Sequence, residues 1–242
     1  EKITGEKSFY QSPTDMSVNR AGFAIINDEV TQQASKMEMI RRYFRYRCEY
    51  AMGFADKETV RRAELFMRDF NLMPENRAVV IPAREAAFAC PQEERDYERG
   101  NEGIFCGAAM ELKDGTIITG SNSSLMHAAT SMVLHAIKHL AEIPDKIKLL
   151  PPQITDSVKN MKTEILDEKS VSLDLEEALI AISISATSNP AAQLALEKLR
   201  ELRDCEAHMT HIPTPGDEAG LRRLGINLTT DPNFSTNDLF MS

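Results

Sequence analysis

The sequence predicts an α/β protein, with an N-terminal helical subdomain over residues 1–100 and a three-layer α/β subdomain with a mixed sheet over residues 101–242. Two observations lead to this fold class. In the first hundred residues, apolar side chains recur every three or four positions, which is typical of amphipathic helices. From Ile104 onward, short apolar runs alternate with helical segments, and Asp114-Gly115 between two such runs indicates a β-hairpin.

The helical subdomain is expected to begin with two helices. Asn27 or Asp28 can cap the first, which runs toward Gly53 with an apolar stripe along one face. Asp56 is the predicted N-cap of the second, which runs to about Phe70.

The α/β subdomain is expected to place helices against a mixed sheet. Asn189 is a predicted N-cap with Pro190 at the first helical position, and the free N–H groups of that helix start make Asn189 a candidate anion-binding residue. The predicted elements are a hairpin over 104–119, strands over 147–150, 205–212 and 226–229, and helices over 124–142, 154–165, 173–186, 190–202 and 217–224.

Composition excludes several classes of protein. The chain has 28 Lys and Arg against 37 Asp and Glu, and this net charge of −9 argues against a general nucleic-acid or anionic-membrane binder, because its field repels phosphate. No apolar run reaches the length of a membrane span. The four cysteines form no C-x-x-C pair, so we expect a cytoplasmic protein with reduced thiols and no zinc.

Motifs for metal and nucleotide chemistry are absent or incomplete. His135 and His139 have the i, i+4 spacing of a metal pair, but no glutamate base lies between them and both fall opposite the apolar stripe of their helix. We therefore expect two solvated histidines and no metal site. The sequence also contains no phosphate-binding P-loop and no G-x-S-x-G elbow.

A basic cluster in the first helix is the candidate anion-binding site. Arg41 falls within the core-facing stripe and Arg42 at its margin. A guanidinium at such a position needs a carboxylate, carbonyl or ligand anion. The partner is either internal, with Glu38, Glu49 or Asp15 as candidates, or the phosphate or carboxylate of a ligand.

The predicted strand over 205–212 carries the candidate catalytic pair. Alternation along the strand places Glu206 and His208 on one face, roughly 7 Å apart, which is close enough to share a ligand or water in acid–base chemistry. If helices cover both faces of the sheet, this polar row is not ordinary surface. If the strand lies at an edge, the row can simply face solvent.

Six sequence motifs, spread along the chain, resemble the same known family. They are Ser12-Pro13-Thr14-Asp15-Met16-Ser17-Val18-Asn19, Ile40-Arg41-Arg42-Tyr43, Cys48-Glu49, Ala186-Thr187-Ser188-Asn189-Pro190-Ala191-Ala192-Gln193-Leu194-Ala195, Cys205-Glu206-Ala207-His208 and Leu224-Gly225-Ile226-Asn227-Leu228-Thr229. Together they resemble a bacterial family with no assigned function, catalogued as domain of unknown function eighteen forty-six. The resemblance runs from about Tyr10 to Pro232 and is weakest over residues 74–103.

The resemblance implies a longer protein and a deaminase-like subdomain. This chain would be the C-terminal half of a protein about twice as long, with a glycine-rich, phosphate-loop-like half upstream that could bind a nucleotide. Glu1 at the first position fits a fragment. The α/β subdomain would be similar in topology to cytidine deaminases. The H-x-E and P-C-x-x-C motifs of those enzymes are missing, however, since the helix after the hairpin begins His127-Ala128-Ala129, so we expect neither zinc nor deaminase activity.

Two functions remain open. In the first, the chain and its upstream half together bind a phosphorylated or nucleotide-like ligand, with Arg41 and Arg42 neutralising its charge and Glu206 and His208 transferring protons. In the second, the chain is a non-catalytic oligomerisation or regulatory module whose methionine-rich helix faces, with 12 Met in all, pack subunits together. A homo-oligomer is the expected state in the second case.

Overall fold

The computed structural model describes residues 28–88, 103–167 and 170–235, and it confirms the predicted α/β fold class. A four-stranded mixed sheet lies between two layers of helices. The helices are α1 (Asp28–Ala51), α2 (Lys57–Asp69), α3 (Val80–Phe88), α4 (Ala128–Leu140), α5 (Pro152–Asn160), α6 (Leu175–Ser185), α7 (Pro190–Glu197) and α8 (Pro215–Leu224), and the strands are β1 (Gly107–Glu111), β2 (Ile117–Ser121), β3 (Glu206–Met209) and β4 (Asn227–Thr230).

The sheet has the strand order β2-β1-β3-β4. β1 pairs antiparallel with both β2 and β3, so Ala109 lies opposite Thr119 on one side and His208 on the other. β3 and β4 run parallel, joined through α8. β2 and β4 are therefore the two edge strands, and within the described residues no strand lies beside the second edge of β4.

Alternate residues of β1 face the two helical layers. Ala108 and Met110 are completely buried in the main core, on the side of the sheet that packs against α4. Ala109 points the other way and packs with Val79 and Ala83 at the start of α3. α1 packs on β4, and the ring of its Phe44 lies tilted against His208 of β3 on this same side, with 4.8 Å between the ring centroids. Glu206 and His208 therefore face a helical layer and not open solvent.

Two glycines let the helices approach the hairpin closely. A Cβ on Gly107 would lie 2.1 Å from the carbonyl oxygen of Ala83 in α3, and a Cβ on Gly120 would lie 2.2 Å from the amide nitrogen of Met132 in α4. Any side chain at either position would separate a helix from the sheet.

The predicted strand over 147–150 is wrong, although both leucines of that segment are buried. Side chains occupy the carbonyl groups that a strand would need for pairing: Ser185 donates to Leu149 O at 2.6 Å, and Asn189 Nδ2 donates to Lys148 O at 3.1 Å. Pro151 follows directly and supplies no N–H for a ladder.

Two sequence predictions lie outside the described residues. They are Asp15 as an internal partner of the basic cluster and the domain boundary between residues 100 and 101. Among the described helices, none is long and apolar enough to cross a membrane.

Candidate functional site

Glu206, the first residue of β3, is the centre of an internal charge cluster. Its Oε1 accepts hydrogen bonds from the guanidinium of Arg41 and from Asn227 Nδ2, the latter at 2.9 Å. Its Oε2 accepts from Arg77 at 2.5 Å. Both carboxylate oxygens are occupied by protein donors, so the cluster joins α1 and the segment before α3 to the interior strand β3.

Arg77 is the buried cation of this cluster, with 3% of its surface exposed. Besides the bond to Glu206, it donates to the carbonyl oxygens of Ala207 at 3.0 Å and Asn227 at 3.3 Å. Burial lowers the pKa of the Arg77 guanidinium, while the charge and hydrogen bond of Glu206 oppose that shift. No sequence pattern indicates Arg77 as a site residue, because it follows a short 3₁₀ turn, where no periodicity marks a residue as buried.

The two arginines predicted to bind an anion, Arg41 and Arg42, lie in different environments. Arg41 pairs with Glu206 and lies 3.7 Å from Glu38, one of the internal partners considered from the sequence. Arg42 is exposed and pairs with Glu38 at 2.9 Å through its Nε. Arg41 thus belongs to the Glu206 cluster, whereas the structure does not bring Arg42 into it.

His208 is completely buried beneath α1. Its Nδ1 lies 2.9 Å from Thr229 Oγ1, and its Nε2 lies 3.5 Å from the carboxylate of Asp231 without a hydrogen bond. Burial lowers the pKa of His208, and the nearby Asp231 only partly opposes this shift. A neutral imidazole without solvent contact has no path to a substrate in this conformation.

Asp231 lies between His208 and α3, where it pairs with Arg84. Arg84 binds its two carboxylate oxygens at 2.8 and 2.9 Å and also pairs with Glu75 at 2.7 Å. Burial raises the pKa of Asp231, but the nearby His208 ring and the hydrogen bonds and charge of Arg84 outweigh it, and the net shift is downward. This second ion pair holds α3 to the end of β4.

Asn189 lies on the opposite side of the sheet, at the start of α7. Its Oδ1 caps the helix by accepting from the amides of Ala191 and Ala192, and its Nδ2 donates to Lys148 O. The structure therefore uses both ends of this side chain internally and does not bring it near Glu206. Its assignment as an anion-binding residue stays a prediction.

A cleft of about 790 Å³ opens beside β4, between the second half of α1 and α8. Arg41 forms part of its wall, so the cleft adjoins the Glu206 cluster. Its apolar lining includes Met52, Phe54, Ile212, Leu221, Ile226 and Leu228.

Four charged side chains at this cleft have no charge partner among the described residues. Arg45 and Glu49 lie on α1, and Glu218 and Arg222 lie on α8. None of the four forms an ion pair within the described ranges, although Arg45 lies 5.6 Å over the ring of Tyr46. Unpaired charges around an apolar lining are typical of a surface that binds a partner or a ligand.

A histidine–aspartate pair that sequence analysis did not assign lies at the start of α4. His127 Nδ1 is 2.7 Å from Asp217 Oδ2, and Asp217 also accepts from Thr214 Oγ1 and the amide of Leu175, both at 2.9 Å. Burial lowers the pKa of His127, but Asp217 outweighs it, and the net shift is upward. The side chain of His127 is 24% exposed, and its Nε2 has no described partner, so this nitrogen is free to exchange a proton with a ligand.

His135 and His139 are both exposed, as expected from the helical wheel. His135 Nδ1 lies 2.9 Å from Thr119 O. Across residues 28–88, 103–167 and 170–235, no three His, Cys, Asp or Glu side chains converge in a way that could hold a metal ion.

Comparison with known proteins gives matches along nearly the whole chain. A family model described as "Domain of unknown function DUF1846, N-terminal" matches residues 1–71, and one described as "Domain of unknown function DUF1846, C-terminal" matches residues 75–240. A UPF0371 protein of Clostridium botulinum (strain Langeland / NCTC 10281 / Type F) is 48% identical over 241 residues, which is 99% of this chain and 47% of that protein. A UPF0371 protein of Clostridium tetani is 47% identical over 240 residues, with the same coverage. The chain spans about half the length of the curated relatives it matches.

We expect Glu206→Gln to destabilise the chain by about 3 kcal/mol, because it leaves the buried Arg77 without a charged partner. Chemical denaturation measures the change. Glu201→Gln is the matched control, since it removes a carboxylate that pairs with Lys198 at an exposed site, and surface pairs contribute little. Equal stability of the two variants would contradict the structural role of Glu206.

Stability should fall as the pH drops below about 6.5, because the pKa of His208 is lowered in the folded state and the unfolded chain then binds more protons. His127 acts in the opposite sense: its raised pKa stabilises the fold below about pH 6.5, and this contribution is lost as the pH rises through the folded value. In denaturation between pH 5 and 8, His208→Gln should flatten the loss of stability below about pH 6.5, and His127→Gln should flatten the loss above about pH 6.5. The exposed His139→Gln is the control, and unchanged slopes in all three variants would contradict the assignments.

Proposed function

The chain belongs to the DUF1846 family, and from its own surfaces we propose that it acts as a non-catalytic assembly module in which two copies dock through the cleft between α1 and α8. The observation that carries the proposal is the makeup of that cleft: an apolar lining with unpaired charges of both signs. Protein interfaces are built in this way, with an apolar centre and a polar rim.

The interactions that Glu206 and His208, the predicted catalytic pair, make within the protein support this proposal. Glu206 already accepts from two arginines and an asparagine, and His208 is buried against Phe44. A general base must lie within hydrogen-bonding reach of the proton that it removes. His208 is out of such reach because it is completely buried, and Glu206, although its side chain is 30% exposed, has both carboxylate oxygens bonded to protein donors.

The second candidate function is binding of a phosphorylated or nucleotide-like ligand, together with the remaining half of the longer family proteins. The open Nε2 of His127 favours it. His127 precedes the helix that follows the hairpin, and Asp217 lies in the first turn of the helix that follows β3. In a deaminase-like arrangement, H-x-E would lie at the position of His127 and P-C-x-x-C at the position of Asp217. The His127–Asp217 ion pair would then occupy the position of the zinc site of those enzymes.

Sedimentation velocity tests the assembly proposal. We expect the wild-type chain to sediment as a dimer and Phe54→Asp to sediment as a monomer, because the substitution places a charge in the apolar cleft. Phe88→Asp is the matched control, since Phe88 is 81% exposed and Phe54 is 80% exposed, but Phe88 does not line the cleft.

A wild-type chain that stays monomeric at all concentrations would contradict the assembly proposal. In that case, a rise in melting temperature with a nucleotide or sugar phosphate, abolished by His127→Gln, would favour the second candidate.

A further inference from the structure

We propose that the pocket between α4 and the segment that joins α4 to α5 binds a small apolar carboxylic acid with a hydroxyl group at the end remote from its carboxylate. The pocket has a volume of about 410 Å³, which lies within the range of small-molecule sites. It shares no lining residue with the cleft beside β4, so this inference goes beyond the assembly proposal and does not depend on it.

One wall of the pocket is a single stripe of α4. The residues of this stripe have the spacing i, i+3, i+4 and i+7, which places them on one face of the helix, and they are Ser131, Leu134, His135 and Lys138. Ser131 and Leu134 are only 8% and 7% exposed, whereas His135 is exposed and Lys138 is half-buried. The pocket is therefore deepest at Ser131 and opens toward Lys138.

The opposite wall is the segment between α4 and α5, and hydrogen bonds hold it in place. Lys138 Nζ donates to Asp145 O at 2.7 Å, and Ser185 donates to Leu149 O at 2.6 Å. Because the wall is fixed at both ends, the pocket is a formed cavity, as most ligand sites are. The apolar part of its lining includes Leu125, Met126, Ile147, Leu150 and Pro152.

The hydroxyl of Ser131 is the polar group at the deep end of the pocket. The amide of Ser131 donates to His127 O, but its side chain forms no hydrogen bond to any residue that the structure describes. A serine hydroxyl inside a helix can bond back to a carbonyl of the preceding turn, as Ser183 does with Ile180 O at 2.7 Å. A buried hydroxyl without a partner costs free energy, and a hydroxyl group of a ligand would satisfy it.

The charges at the mouth of the pocket favour an anion. Lys138 and Lys148 both line the pocket, and neither ammonium group pairs with a carboxylate in the described part of the chain. Asp145 is the one acidic residue among the described lining residues, so two lysines stand against one carboxylate. Each ammonium group has three N–H donors, and Lys138 uses one of them for Asp145 O. The remaining donors can bind the carboxylate of a ligand.

The separation of the two polar ends determines the length of the ligand. Seven residues at about 1.5 Å per residue place Ser131 and Lys138 roughly 10 Å apart along the helix axis. Leu134 and the apolar opposite wall lie between them, so the body of the ligand must be apolar. An aromatic acid with a para-hydroxyl group meets these requirements with few rotatable bonds, and it therefore loses little conformational entropy on binding.

Isothermal titration calorimetry with three matched probes tests this proposal. The probes are para-hydroxyphenylpropionate, phenylpropionate, which lacks the hydroxyl group, and para-hydroxyphenylpropionamide, which lacks the charge. We expect the wild-type chain to bind the first probe at least about fivefold more tightly than either of the others, because one hydrogen bond contributes about this factor and a bond to a charged group contributes more.

Two variants separate the two ends of the ligand. Ser131→Ala should remove the preference for the hydroxylated acid over phenylpropionate and keep the preference for the acid over the amide. Lys138→Gln should weaken the preference for the acid over the amide and keep the preference for the hydroxylated probe. A merely structural role of either residue would not change one preference and spare the other.

Ser183→Ala on α6 and Lys57→Gln on α2 are the matched controls, because neither residue lines the pocket, and both variants should keep both preferences. Thermal melting checks folding, and Ser131→Ala should not lower the melting temperature, since the hydroxyl that it removes has no partner. No binding of any probe to the wild-type chain at millimolar concentration would overturn the proposal. Equal affinities for the three probes would also overturn it. Preferences that Ser131→Ala and Lys138→Gln leave unchanged would overturn it as well, because the probe would then bind elsewhere.

Discussion

The arrangement of this fold depends on one buried cation. Arg77 has almost no contact with solvent, and an uncompensated guanidinium in that position is very costly. Glu206 compensates it and accepts from Arg41 with its other oxygen. Since Arg41 lies on α1 and Arg77 precedes α3, the carboxylate connects two parts of the N-terminal helices to one strand. The helices therefore form a layer over the sheet.

This layer determines what the candidate residues can do. With α1 in place, His208 lies against Phe44, and Asp231 is held by Arg84. The polar row on β3 thus contributes to stability, and the groups left open lie elsewhere, at His127 and around the cleft beside β4. Assembly and any ligand chemistry would accordingly use different surfaces of the same chain.

Local pattern was sufficient to predict most of the elements, and to place Glu206 and His208 on one face, because alternation along a strand is a local property. It could not reveal their partners, since Arg77 is 129 residues from Glu206 and lies in a segment without periodicity. The 147–150 segment was mistaken for a strand because burial of its leucines looks the same in both conformations. The sequence excludes a zinc site at His127, because the glutamate of H-x-E is missing two residues later. It does not reveal the partner of His127, since Asp217 is 90 residues away.

The most direct test of this account is a double-mutant cycle between Arg77 and Glu206, measured by chemical denaturation. Our account predicts that Arg77→Met and Glu206→Gln are coupled by at least about 1 kcal/mol, because each substitution alone leaves one charge of the cluster without its partner. Additive effects of the two substitutions would contradict it.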